Sequence, residues 1–196
     1  MNAAVCKISS LNVSSFANVE ELIFLAREQR CEVSAQRALL LVKELATALK
    51  QQRKVNETCL ADSFVRGKSL ERLLLKELGI WCYLAYLQGA SPEYLKQSEV
   101  CLSRLCNLQG TDAELEMYYA FVLWSKWQNK SALPGDMSRC FALLSHCAET
   151  ESFQVSQAEV VWFRLGYLYQ IGAGCKQDLN KAEMCFERAR NLGLDC

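Results

Sequence analysis

Eleven cysteines and a single histidine are the residues of this 196-residue chain best suited to chemistry. A thiolate is a nucleophile and a soft metal ligand, so the spacing decides what these thiols can do. The cysteines stand at 6, 31, 59, 82, 101, 106, 140, 147, 175, 185 and 196, with no Cys-x-x-Cys among them. Tetrahedral zinc usually draws on clustered Cys or His, and His146 stands alone, so no metal is expected. His146 next to Cys147 has the composition of a thiolate–imidazole pair, but neighbours on a helix point about 100° apart. Met137, Cys140, Phe141, Leu144 and Cys147 recur at helical spacing instead, which reads as buried thiols serving as small hydrophobes. A disulfide framework is the alternative, and the irregular gaps do not favour it.

Other catalytic arrangements are absent from the sequence. There is no Gly-x-Ser-x-Gly, no Ser-x-x-Lys and no glycine-rich phosphate loop. Gly172-x-Gly174 follows a helical pattern rather than a strand, which argues against a dinucleotide site. Glu114 and Glu116 read as capping and solvated carboxylates. No cofactor is expected, and the chain reads as non-catalytic; an enzyme or enzyme subunit with a cysteine-centred site is the alternative. Twenty-two basic and twenty-two acidic side chains cancel, leaving no electrostatic footprint for nucleic acid. No apolar run approaches the roughly 18 residues that span a bilayer. The first residues, MNAAVCKISSLNVSSF, lack a secretory pattern. A cytoplasmic protein without membrane insertion is the expectation.

With 51% apolar residues and two prolines, the composition suits a packed all-α chain. Capping signals set the helix starts. Ser91-Pro92-Glu93 combines a capping serine, a proline at the first helical position and an acid in the first turn. Thr111-x-x-Glu114 and Ser156-x-x-Glu159 read as capping boxes. Ser69 precedes one apolar run and Asp136 another. Asp178 is placed to cap a helix carrying Ala182, Cys185, Phe186 and Ala189 on one stripe. Before it, Val161, Leu165, Leu168 and Tyr169 align, and Gly172 and Gly174 end that helix. Helices are therefore expected from about 70, 92, 112, 137, 157 and 179, forming three hairpins, 70–109, 112–149 and 157–193. Their first helices start roughly 42 and 45 residues apart, as in helical repeat arrays. Glu99-Val100-Cys101-Leu102-Ser103-Arg104 echoes Glu183-Met184-Cys185-Phe186-Glu187-Arg188, and Arg139-Cys140-Phe141 echoes Met184-Cys185-Phe186.

Upstream, Asn18-x-x-Glu21 is expected to open a short helix with Val19, Leu22, Ile23 and Ala26 on one face. A longer helix from about Ala35 to Gln52 aligns Ala38, Val42, Leu45 and Leu49. Gln51-Gln52-Arg53-Lys54 reads as a solvated helix end, and Gly67 as the end of a short helix over 55–67. The expected layout is a loose segment 1–17, a helical region 18–67 and a repeat region 68–196.

Leu165-Gly166, Tyr169, Gly172, Gly174, Asp178, Lys181-Ala182, Phe186, Ala189 and Gly193 together resemble the Sel1-like repeat, a relative of the tetratricopeptide repeat. The family pattern runs roughly Ala-x3-Leu-Gly-x2-Tyr-x2-Gly-x-Gly-x3-Asp-x2-Lys-Ala-x3-aromatic-x2-Ala-x3-Gly, and the match covers about one sixth of the chain. The two earlier hairpins lack the Gly-x-Gly turn. The resemblance implies a right-handed α-α superhelix, a Sel1/TPR-like solenoid, that binds another protein or peptide in its groove. Some Sel1-like proteins are stapled by regular cysteine pairs, a period this chain does not reproduce. Penicillin-binding behaviour has been suggested for such cysteine-rich relatives, and the Ser-x-x-Lys it would need is missing. Aromatic residues concentrate on the first helices of the hairpins, which line the concave face of α-solenoids. Arg164 and Tyr167, with Tyr83 and Tyr118 by analogy, lie off the packing stripes and are the expected partner contacts.

Overall fold

Apolar residues three and four apart wind the chain into helices, and among the described residues every regular element is helical. The computed structural model describes residues 16–31, 33–58, 61–107, 112–150 and 157–193. They form α1 (Phe16–Glu28), a 3₁₀ turn (Gln29–Cys31), α2 (Ala35–Thr58), α3 (Ala61–Leu87), α4 (Glu93–Cys106), α5 (Ala113–Gln128), α6 (Asp136–Glu149), α7 (Ala158–Ile171) and α8 (Leu179–Asn191). Two compact units result, Met1–Leu105 and Cys106–Cys196. Among the described residues no helix is long and apolar enough to cross a membrane.

In the first unit α3 is the central element, buried on every side from Leu74 to Ala85, with α1 and α2 packed on it. The expected faces are the buried ones: Val19, Leu22, Ile23 and Ala26 on α1, and Ala38, Val42, Leu45 and Leu49 on α2. Glu77 lies fully buried on α3 and accepts from Arg27 Nε at 2.9 Å and from Arg30 Nη2. Such a carboxylate is tolerated in the core only because two guanidinium groups neutralise it.

Several sequence expectations are corrected in this unit. Asn18 lies inside α1 rather than opening it. Helix α2 continues past Gln52 to Thr58. The run Gln51–Lys54 is solvated only in part: Gln51 and Lys54 are exposed, but Gln52 is buried with Asn56, and Arg53 and Asn56 donate to Glu71 at 3.0 Å each. Finally, Gly67 ends nothing. It sits within α3 where a Cβ would lie 2.1 Å from Asn56 Oδ1, so its missing side chain lets α2 approach. The boundary expected between 67 and 68 therefore falls inside a continuous helix, and helix α3 starts at Ala61 instead of near 70.

In the second unit α5 packs on α6, α6 on α7 and α7 on α8. Asp112 rather than Thr111 caps α5, its Oδ1 accepting from Leu115 N at 2.8 Å; Thr111 and Ser156 lie outside the described residues. Asp136 does not cap α6. Gly135, at φ 90°, holds that position, and the Asp136 carboxylate accepts from Lys126 Nζ and Leu133 N, both at 2.8 Å. Asp178 caps α8 as expected, accepting from Lys181 N at 3.0 Å, and Gly172 ends α7 in the left-handed conformation at φ 69°.

The first and third hairpins share one internal contact. Gly166 meets Phe186 and the Ala182 carbonyl so closely that a Cβ would lie 2.9 Å and 3.0 Å from them. Gly79 meets Leu102 in the same way, and Ser98 Oγ donates to the Gly79 carbonyl at 2.7 Å. In the middle hairpin Cys140 Sγ donates to the Ala120 carbonyl at 3.4 Å. Leu102 and Phe186, 84 residues apart, thus stand in the same relation to a glycine of the preceding helix.

Candidate partner-binding groove

The four residues expected to contact a partner are placed differently from one another. Tyr83 and Tyr118 are core residues, 1% and 5% exposed, so their rings are not presented to solvent. Tyr118 packs edge-on against Phe121 at 6.2 Å. Tyr167 is half-buried, its ring 5.5 Å from Trp124 and 6.1 Å from Trp127. Arg164 lays its guanidinium 4.0 Å above the Phe121 ring, and its Nη1 is buried without a hydrogen-bond acceptor. Both α7 side chains thus tie α7 to α5. The sequence stripes missed this because α7 packs on three helices, and a residue off one stripe lies on another.

The motif residues occupy structural positions. Leu165, Gly166, Ala182 and Ala189 are buried, and Phe186 and Tyr169 are partly so. Gly174, at φ 78°, approaches the start of α6; a Cβ there would lie 2.2 Å from the Met137 carbonyl oxygen. Gly193 closes the described chain beyond α8 at φ 104°. Tyr169 meets Phe141 edge-on at 5.2 Å, joining the last two hairpins.

Beside that contact lies an open groove of about 290 Å³. Ser145, Ala148 and Glu149 of α6 form one wall, and Lys181, Met184, Cys185 and Arg188 of α8 the other. Trp162, Leu165 and Tyr169 of α7 form the floor. It exists because α6 and α8 each pack on α7 and leave a trough between them. Its volume is at the small end of ligand pockets, which run from about 300 to 1,000 Å³. Arg188 stacks 4.5 Å over Trp162, and Lys181 Nζ lies 5.5 Å from the Tyr169 ring centre. Met184 is 60% exposed at the rim, while the Ser145 hydroxyl is buried without a partner. Burial pushes the Tyr169 hydroxyl above its ordinary pKa, and the nearby Cys185, Cys175, Asp178 and Glu149 add to that. Sequence reading missed the groove, since its walls come from separate helices. The signal within reach was the cation pair at 181 and 188, two turns apart on one helix.

Seven of the described cysteines, Cys82, Cys101, Cys106, Cys140, Cys147, Cys175 and Cys185, are free. Burial pushes Cys101 and Cys106 up to about 11, Cys140 and Cys147 to about 12, and Cys82 higher still. Cys175 and Cys185 are also raised, again chiefly by burial. Cys147 does not pair with His146. Its Sγ donates to the Ala113 carbonyl at 3.4 Å, whereas His146 Nδ1 meets Glu116 Oε2 at 2.5 Å. Among the described residues no group of three or more His, Cys, Asp or Glu is arranged to hold a metal.

No protein-family model, curated protein or solved structure matches this chain.

Proposed function

We propose that this chain is a non-catalytic interaction module, a Sel1/TPR-like solenoid that holds a segment of another protein, and that it works in the reducing cytoplasm. The observation carrying this reading is the α6–α7–α8 groove, an unfilled trough whose rim exposes Met184 and whose floor carries Trp162 and Tyr169. Aromatic and arginine side chains dominate protein-binding hot spots, and an exposed methionine adapts to many shapes. The matching contacts of Leu102 with Gly79 and of Phe186, 84 residues later, with Gly166 support the repeat reading. The free, buried thiols suit a reducing compartment. A cysteine-centred enzyme would need a thiol with a depressed pKa, whereas each of these seven thiols is raised. The binding site proposed here is the groove rather than Tyr83 and Tyr118, whose rings are buried.

The test is a photo-crosslinking residue at Met184, with a second at the exposed Val100 as control. The reading predicts one dominant partner captured at 184, which then binds the purified chain stoichiometrically without being consumed. Turnover of the captured molecule, or equal capture at both positions, contradicts it.

A further inference from the structure

The chemistry of the groove narrows what it can hold. The Arg188 guanidinium lies 4.5 Å over the Trp162 ring and makes no ion pair with a described residue. Its neighbour Arg190, by contrast, is occupied by Glu183 at 2.8 Å. Lys181 is held only loosely, 4.0 Å from Asp178. One carboxylate, Glu149, lines the opposite wall, so the α8 side remains cationic. Between the two cations the lining is apolar, through Met184 and the Trp162 and Tyr169 rings, and the Ser145 hydroxyl adds an unpartnered polar atom. A chain otherwise balanced in charge thus has two cations on one helix, seven residues and about 10 Å apart along its axis.

We propose that the groove recognises an acidic segment of a partner protein, with two carboxylates three residues apart and an aliphatic side chain between them. In a polyproline-II-like segment residues i and i+3 fall on one side about 9 Å apart, matching the separation of Lys181 and Arg188. The carboxylates meet the two cations, and the aliphatic residue lies against Met184 and the aromatic floor. Arg188 contributes more than Lys181, because Lys181 already has Asp178 beside it. The proposal rests on the reading of the groove as a partner site.

The probe is a fluorescein-labelled peptide, Pro-Glu-Leu-Pro-Glu-Leu-Pro, compared with the same peptide carrying Gln for Glu, by fluorescence polarisation. The Glu peptide should bind roughly tenfold tighter than its Gln counterpart. Arg188→Gln should remove most of that difference and Lys181→Gln a smaller part. Arg190→Gln, on the other side of α8, should leave it unchanged. Each substitution is on the surface, and circular dichroism checks that the fold persists. Equal binding of the two peptides, or full binding by both Arg188→Gln and Lys181→Gln, overturns the proposal. It is also overturned if light scattering shows a dimer that Arg188→Gln dissociates, since a second copy would then fill the groove. If Met184 crosslinks a partner through a segment lacking acidic residues, the acidic specificity fails while the partner-site reading stands.

Discussion

Gly166 lies against Phe186 with no room for a side chain: a Cβ on the glycine would sit 2.9 Å from two carbons of the ring. The same relation joins Gly79 and Leu102, where the distance is 2.6 Å. In these two hairpins the second helix presses a large residue onto a glycine of the first. Alanine would favour a helix by about 1 kcal/mol over glycine, but here the neighbour would have to move.

Gly166→Leu should therefore destabilise the second unit by about 1–3 kcal/mol, and Gly79→Leu should do the same in the first unit. Urea unfolding measures both. A midpoint unchanged in both variants would mean that the helices are not in contact there. Phe186→Ala should cost about 3 kcal/mol by removing the partner ring.

Glu77 and its two arginines give a second prediction. Glu77→Ala removes a fully buried carboxylate and leaves Arg30, whose side chain is 13% exposed, facing a cavity. A cost of about 3–5 kcal/mol is expected. Arg27→Ala should cost about 1 kcal/mol or less, because Arg27 is 44% exposed and Arg30 remains in place. Chemical denaturation ranks the pair, and equal costs would contradict the geometry.

Stability should vary with pH through two groups of opposite sign. The hydrogen bond to Glu116, and the charge of that carboxylate, raise His146 above its ordinary value. Its contribution is complete below about pH 6.5 and is lost as pH rises through the raised pKa. Because the imidazole is 58% exposed, the effect should be only a few tenths of a kcal/mol to about 1. Burial pushes the Glu71 carboxyl up, but hydrogen bonds from Arg53, Lys68 and Asn56 outweigh it and hold the group low. That contribution is present above the ordinary carboxylate range and is lost as pH falls through the lowered pKa. His146→Ala should flatten the urea midpoint between about pH 6.5 and 8, below the range where the raised thiols contribute, without altering the acid limb. A slope that survives this substitution would assign the dependence to other groups.

The thiols give a fourth. Cys140 and Cys147, at about 12, hold roughly three ten-thousandths of the thiolate that an ordinary cysteine near 8.5 shows at neutral pH. Iodoacetamide labelling followed by mass spectrometry should find the described cysteines slow in the native protein. All of them should react after denaturation without reductant. Fast native labelling of one of them would point to an activated thiol, and protection after denaturation to disulfides.

Local signals made much of the fold legible. Five helix starts fall within one residue of expectation, at 93, 113, 136, 158 and 179, because proline, aspartate and glycine act within one turn. Even there the responsible atom was misread twice, at Asp112 and Asp136. What was not legible depends on a second helix. Gly67 reads as a terminator in sequence, and only the Asn56 side chain opposite it shows why the helix continues. The Leu-Gly pairs at 78–79 and 165–166 were visible as residues, but their equivalence appears only with Leu102 and Phe186 facing them. The groove was hidden for the same reason, since Trp162 and Arg188 stack across two helices.

The central claim is that the groove between α6 and α8 holds a partner segment. The most direct measurement is the affinity of the crosslinked partner, once purified, for the chain carrying Met184→Asp, by isothermal titration calorimetry. Met184 is 60% exposed, so the fold should keep its melting temperature. Placing a carboxylate in the apolar centre of the contact should weaken binding at least tenfold, or by about 1.4 kcal/mol. Wild-type affinity in a folded Met184→Asp variant would contradict the account.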